Sequence, residues 1–270
     1  MSNLAVIYSA MGRHDDALRL QEETVAAEKV ALGDRHPETL TSMNNLAETY
    51  RAMGRPDDAL RLQEETLAAR KVALGDRHPE TLTSMNNLAE TYSAMGRHDD
   101  ALQLEEETLA ASKIVLGDRH PDTLTSMSNL AVIYSAMGRH DDALRLQEET
   151  VAAEKVALGD RHPETLTSMN NLAETYRAMG RPDDALRLQE ETLAARKVAL
   201  GDRHPETLTS MSNLAMTYNT LGRQDEALIL YERAVSGFEA ALGKDHPNSR
   251  IVRDNFEICR ARKRDRGDGG

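Results

Sequence analysis

The 270-residue chain carries nine histidines, one cysteine and 45 acidic side chains, and their spacing decides what chemistry is open to them. Six histidines stand in His-Pro pairs, from His36-Pro37 to His246-Pro247, at 42-residue intervals. Equivalent residues of successive helical repeats lie ~10 Å apart, whereas zinc takes its ligands at ~2 Å, so neighbouring pairs cannot share an ion. His14, His98 and His140 occupy a second recurring corner, where Pro56 and Pro182 stand in other copies. Both rows read as helix-start junctions, and no metal ligand is assigned. Cys259 has no partner cysteine and no convincing catalytic histidine, so it reads as a packing thiol. Acidic pairs recur from copy to copy, as a structural role predicts, and no phosphate loop or nucleophile elbow appears. No catalytic residue and no cofactor are expected.

The remaining candidate chemistry is recognition. Asn44, Glu48 and Arg51 recur as Asn86 and Glu90, then Ser128 and Val132, then Asn170, Glu174 and Arg177, then Ser212 and Met216. On a helix, Asn44 and Glu48 face away from the apolar stripe, together with Thr41, Asn45 and Ala52, and Arg51 lies at the edge. A row of amides and carboxylates can hydrogen-bond a peptide backbone without reading its sequence. The competing reading is a solvated helix face, with Asn45-type residues bonded to the next repeat.

The elements that would position this row follow from a repeat. Tyr8, Tyr50, Tyr92, Tyr134, Tyr176 and Tyr218 recur every 42 residues, and Gly12 and Gly33 begin two glycine series in the same step. Residues 1–85 also match residues 127–211 without a difference, up to Asn86 against Ser212, so a block of three repeats has been copied. In the unit 37–75, Leu40, Met43, Leu46, Ala47, Tyr50 and Met53 form one helical face. Pro37 suits a first helical position, and Gly54 suits a stop at positive φ. A second helix starts at Pro56-Asp57-Asp58. Its apolar stripes are Ala59, Leu62, Thr66, Ala69 and Ala73, then Leu60, Leu67 and Leu74, and it ends at Gly75. Connections of two to four residues make neighbours antiparallel. One pair cannot bury both of its stripes, so the pairs must stack.

Composition bounds the partners. A net charge of −12 argues against nucleic acid and anionic membranes. No apolar run approaches the ~20 residues of a membrane span, and the N-terminus lacks a signal-peptide core. A reducing, cytoplasmic setting is the simplest expectation.

The run Met43-x-x-Leu46-Ala47-x-x-Tyr50 followed by Ala59 resembles the tetratricopeptide repeat. Met43 and Gln63 stand where aromatics are usual, and Tyr231 restores the second. The unit is eight residues longer than the usual thirty-four. With Leu74-Gly75-Asp76-Arg77-His78-Pro79 and Asn86-Asn87-Leu88-Ala89, it is similar to the repeats of kinesin light chains and to the repeat tails of fungal NOD-like receptors. The resemblance implies an all-α, right-handed α-solenoid whose first helices line a concave groove for peptide segments of other proteins.

The expected organisation is six helix-pair repeats over 1–246 with a truncated first helix, a capping helix over 247–264 and a flexible tail over 265–270. A scaffold or adaptor is the leading reading, and a self-assembling structural array is the alternative. An exposed apolar N-terminal end would favour end-to-end homo-oligomers.

Overall fold

The computed structural model describes residues 14–267, and among them the chain forms twelve α-helices and no strand. They are α1 His14–Leu32, α2 Pro37–Ala52, α3 Pro56–Leu74, α4 Pro79–Ala94, α5 His98–Val115 and α6 Pro121–Ala136. Then follow α7 His140–Ala157, α8 Pro163–Ala178, α9 Pro182–Leu200, α10 Pro205–Thr220, α11 Gln224–Leu242 and α12 Pro247–Gly267. Even-numbered helices are the first members of each repeat, and odd-numbered ones the second. The chain divides into two compact units, one up to Arg139 and one from His140. Within each unit a helix packs on its sequence neighbours and touches little else. This is the stack of antiparallel helix pairs that the 42-residue period predicts.

Both ends of a first helix are set by local chemistry. His36 is the N-cap of α2, extended at φ −69° and ψ 138°, and its Nδ1 accepts the Glu38 backbone N–H at 3.3 Å. His78, His120, His162, His204 and His246 do the same at 3.2–3.3 Å. The histidine row is therefore a row of caps, as the spacing argument requires. At the other end of α2, Gly54 sits at φ +71°. Its N–H bonds Arg51 O at 3.0 Å, and Arg55 N–H reaches back to Tyr50 O at 2.9 Å, the paired bonds of a Schellman stop. That stop also brings Arg55 over the Tyr50 ring, 4.5 Å from its centroid.

The core is a ladder of small clusters, one per repeat junction. Leu40, Met43, Leu46 and Ala47 of α2 are buried, as are their counterparts in α4, α6, α8 and α10. The second helices differ from expectation. Ala59, Thr66 and Leu67 are buried, but Ala73 is exposed, and the other buried positions of α3 belong to Gln63 and Arg70. Both polar side chains are buried because the neighbouring repeat supplies partners. Gln63 Nε2 donates to Asn87 O at 3.2 Å. Arg70 Nη1 donates to Glu80 O and Ser84 Oγ, each at 2.8 Å, and burial pulls its guanidinium below the usual range. Arg196 repeats this arrangement on Ser210. Ser112 holds the equivalent place in α5, Glu154 in α7 and Phe238 in α11.

Gln189 and Ser112 are buried in this polar core without a hydrogen-bond partner, and so is the ionisable Glu105. It takes the place of Gln63, is 0 % exposed, and neither carboxyl oxygen has a hydrogen-bond partner. Ser126, the nearest hydroxyl, spends its proton on Asn86 Oδ1 at 2.9 Å. Burial, and next the charge of Glu90, push the Glu105 carboxyl well above the usual carboxylate range. In acid form it carries a donor, as Gln63 does.

In the last repeat the polar pair becomes aromatic: Tyr231 and Phe238 are buried, and Gly237 lets Leu208 approach where a Cβ would meet its Cδ2 at 2.4 Å. Helix α12 then covers α11 with Val252 and Cys259, and burial raises the Cys259 thiol. The expected cap at 247–264 is helical and continues to Gly267. Its basic residues are partly paired, Arg253 with Glu239 and Lys263 with Asp225. The truncated first helix, the apolar N-terminal end and residues 268–270 of the expected tail lie outside the described residues. No helix among the described residues is long and apolar enough to cross a membrane.

Two outcomes follow from the caps and from Glu105. Replacing His78 with Ala removes a side-chain cap and should cost about 0.5–2 kcal/mol, measured by urea denaturation against the parent chain. Glu105→Gln tests the buried acid. A carboxyl held above its unfolded pKa adds stability that is complete below that unfolded value and lost as pH rises through the folded one. The variant should therefore gain on the parent between pH 5 and pH 8, by about 1–3 kcal/mol at the upper end. An equal midpoint for both proteins at pH 8 would show that Glu105 carries no such penalty.

Candidate functional site

The recurring amides and carboxylates sit on the first helices, and each unit presents its own set. In the first unit, α2 carries Asn44, Glu48 and Arg51, α4 carries Asn86 and Glu90, and α6 carries Ser128. Their shared face follows from helical geometry, since residues four apart lie one above the other. Asn44, Glu48, Arg51, Glu90 and Ser128 are all partly exposed. Asn86 is a correction: it is buried, because its Oδ1 takes the Ser126 hydroxyl proton and its side chain is drawn in between α4 and α6.

The face is cross-linked. Asn87 Nδ2 donates to Asn44 Oδ1 at 3.2 Å, and Asn129 Nδ2 to Glu90 Oε1 at 3.3 Å. The Asn45-type residues thus bond the preceding repeat, the reverse of the expected direction. Arg51 lies between two carboxylates, 2.7 Å from Glu48 and 3.4 Å from Glu90. The Glu48 hydrogen bond holds its guanidinium above the usual range. Burial raises Glu90, while Arg51 opposes that rise.

Between α4 and α6 this face opens into a pocket of about 320 Å³. Arg51, Glu90 and Asn129 form its polar side, and Ala94, Val132 and Ile133 its apolar side. Val132 is 54 % exposed on a helix face where α2 and α4 carry Glu48 and Glu90. The sequence placed Val132 in the row, but Ser93, Ala94 and Ile133 had no periodic signal to single them out.

In the second unit, α8 carries Asn170, Glu174 and Arg177, and α10 carries Ser212. Asn213 Nδ2 donates to Asn170 Oδ1 at 3.1 Å. Glu174 is exposed and Arg177 partly so, but Ser212 is buried. Ser212 nonetheless lines a hollow of about 260 Å³ between α10 and α12, with Asn213, Met216, Ile251 and Asn255. A wider hollow of about 770 Å³ lies on the opposite side of the second unit, around Ile229, Arg233 and Ser236.

One further surface lay unread in the sequence. Val30, Val72, Ile114, Val156 and Val198 occupy one position of the second helices and are 65–90 % exposed. Among the described residues no group of three or more His, Cys, Asp or Glu could hold a metal ion.

Comparison with known proteins agrees with this architecture. No curated protein sequence matches the chain. A kinesin light chain-type protein of Podosopora anserina with nearly identical TPR-like repeats is 33% identical, over 77% of this chain and 98% of that one, with a TM-score of 0.67. BtubC of P. vanneervenii, at 22% identity over 87% of this chain and 94% of its own, has a TM-score of 0.73 and shows the shared fold. The apo quorum sensor NprR of B. thuringiensis, 17% identical over 93% of this chain and 68% of its own, has a TM-score of 0.67. The family model described as tetratricopeptide repeat matches residues 1–71, 45–114, 106–155, 141–197 and 164–240. With helix pairs of this pattern repeated through both units, the chain belongs to the tetratricopeptide repeat family.

Proposed function

We propose that the protein is a scaffold or adaptor that binds peptide segments of other proteins along its first-helix face. Proteins of this family mediate protein interactions, and their first helices line the binding groove. The observation that carries the reading is the pocket in the first unit. There, carboxylate, guanidinium and amide groups border an open apolar wall at Ala94, Val132 and Ile133. Gln63, Arg70 and Asn86, by contrast, are consumed within the stack. Amides left at the surface can pair with a peptide backbone, and the exposed valine supplies apolar area that gains by being covered. Equivalent positions in successive repeats add avidity without demanding one sharply tuned motif.

A second reading, self-assembly, draws on the exposed Val30, Val72, Ile114, Val156 and Val198. A β-branched residue is a poor choice for a solvated helix face, and a row of them suits contact with a second copy. Val132→Arg and Val72→Arg separate the two readings, since arginine favours the helix and neither site is buried. Peptides selected from a random displayed library on the parent chain should bind Val132→Arg at least tenfold more weakly and Val72→Arg equally well. Light scattering should show all three proteins in one oligomeric state. Absence of any selected peptide would overturn the scaffold reading. If, in addition, Val72→Arg dissolves an oligomer formed by the parent, assembly takes its place.

A further inference from the structure

The pocket of the first unit is lined by one carboxylate, Glu90, and one guanidinium, Arg51, and Glu48 outside the lining holds that guanidinium more closely than Glu90 does. Glu48 and Glu90 share the single guanidinium of Arg51. Glu90 is bonded only at long range, 3.4 Å from Arg51 and 3.3 Å from the Asn129 amide, and its side chain remains 36% exposed. Each carboxylate oxygen has two lone-pair directions, so both keep capacity for another donor. Glu105 of α5 is fully buried with both oxygens unpartnered. Its counterpart Gln63 reaches the Asn87 carbonyl, and the equivalent carbonyl here is that of Asn129, a residue of the pocket wall. The groups facing Glu90 are thus Glu48 and Arg51 from α2, Glu105 from α5 and the neutral Asn129 from α6. Two carboxylates, Glu48 and Glu90, stand against one cation, Arg51.

The remaining wall is apolar. Ala94, Val132 and Ile133 border the space, and Val132 is open to solvent. A ligand that fits must carry an aliphatic stem and end in a positive charge. We propose that this pocket receives a lysine side chain of a partner polypeptide, its methylenes against Ala94, Val132 and Ile133 and its ammonium on Glu90. The ammonium is a compact point charge that needs one free carboxylate direction. A guanidinium seeks a two-pronged contact, and Arg51 already stands between the two carboxylates. The net charge of −12 draws a basic segment towards the protein from a distance.

This inference rests on the peptide-binding reading, and one experiment keeps the two apart. A random twelve-residue peptide library is displayed and selected on the full chain, and the strongest binder is synthesised with lysine and with acetyl-lysine at each lysine position. On the parent, acetylation of one lysine should weaken binding about tenfold, and the loss should shrink as salt rises. On Glu90→Gln, which keeps the size of the side chain and one accepting oxygen but removes the charge, the same acetylation should change affinity less than twofold. Glu174→Gln in the second unit serves as the control and should respond as the parent does. Selected peptides without a shared lysine, or an equal acetylation loss on the parent and on Glu90→Gln, would overturn the lysine pocket and leave the scaffold reading intact. A loss that disappears in Glu174→Gln instead would also overturn it. Failure to select any peptide would remove both.

Discussion

A helix pair of this sequence cannot bury its own apolar surface, and every other feature depends on how the next pair covers it. Beside the apolar cluster at the joint a clasp recurs. Tyr50 of α2 sends its hydroxyl to Glu22 of α1 at 2.6 Å, while Arg55 covers its ring. Tyr92, Tyr134, Tyr176 and Tyr218 repeat both contacts. The arginine is there because the Schellman stop places it opposite the tyrosine. The glycine that ends one helix thus also fixes the clasp to the helix before it. Desolvation, then the hydrogen bond to Glu22, push the Tyr50 phenol up to about 12, so the donor persists at any ordinary pH. In these small, nearest-neighbour contacts, stability is a sum over junctions and not the property of one centre.

This mode of construction explains the polar interior. With few aromatics available, the second helices fill two core positions with glutamine, glutamate, arginine or serine. The favourable condition is a carbonyl or hydroxyl offered by the adjacent repeat. Arg70 and Arg196 meet that condition through Glu80 O and Ser84, and through Glu206 O and Ser210. Glu105, Gln189 and Ser112 are buried without such a partner, and the Glu105 carboxyl feels the charge of Glu90 of the pocket that carries the proposed binding chemistry. A core position that departs from its siblings therefore coincides with the surface position, Val132, that departs from its own.

The self-assembly alternative draws on a different surface. In each unit the exposed branched residues lie on the second helices and the amide row on the first. A scaffold that pairs with a second copy by one face and holds a peptide by the other uses both surfaces without conflict.

Much of this was legible in the residues. The 42-residue period, the His-Pro starts, the glycine stops and the Leu-Met-Leu-Ala stripe of the first helices depend only on contacts within a few residues, so sequence spacing determined them. The burial of Gln63, Arg70 and Asn86 and the exposure of Ala73 did not follow from pattern, because hydropathy cannot tell which polar side chain will find a carbonyl on the neighbouring repeat. The pocket needed tertiary structure for the same reason. Its walls come from α2, α4 and α6, and Arg51, Glu90 and Val132 stand about 40 residues apart in the chain. Spacing set the apolar stripe of each first helix. Only the packing of one helix beside the next decided which other side chains meet, which are covered and where a carboxylate is left with a free direction.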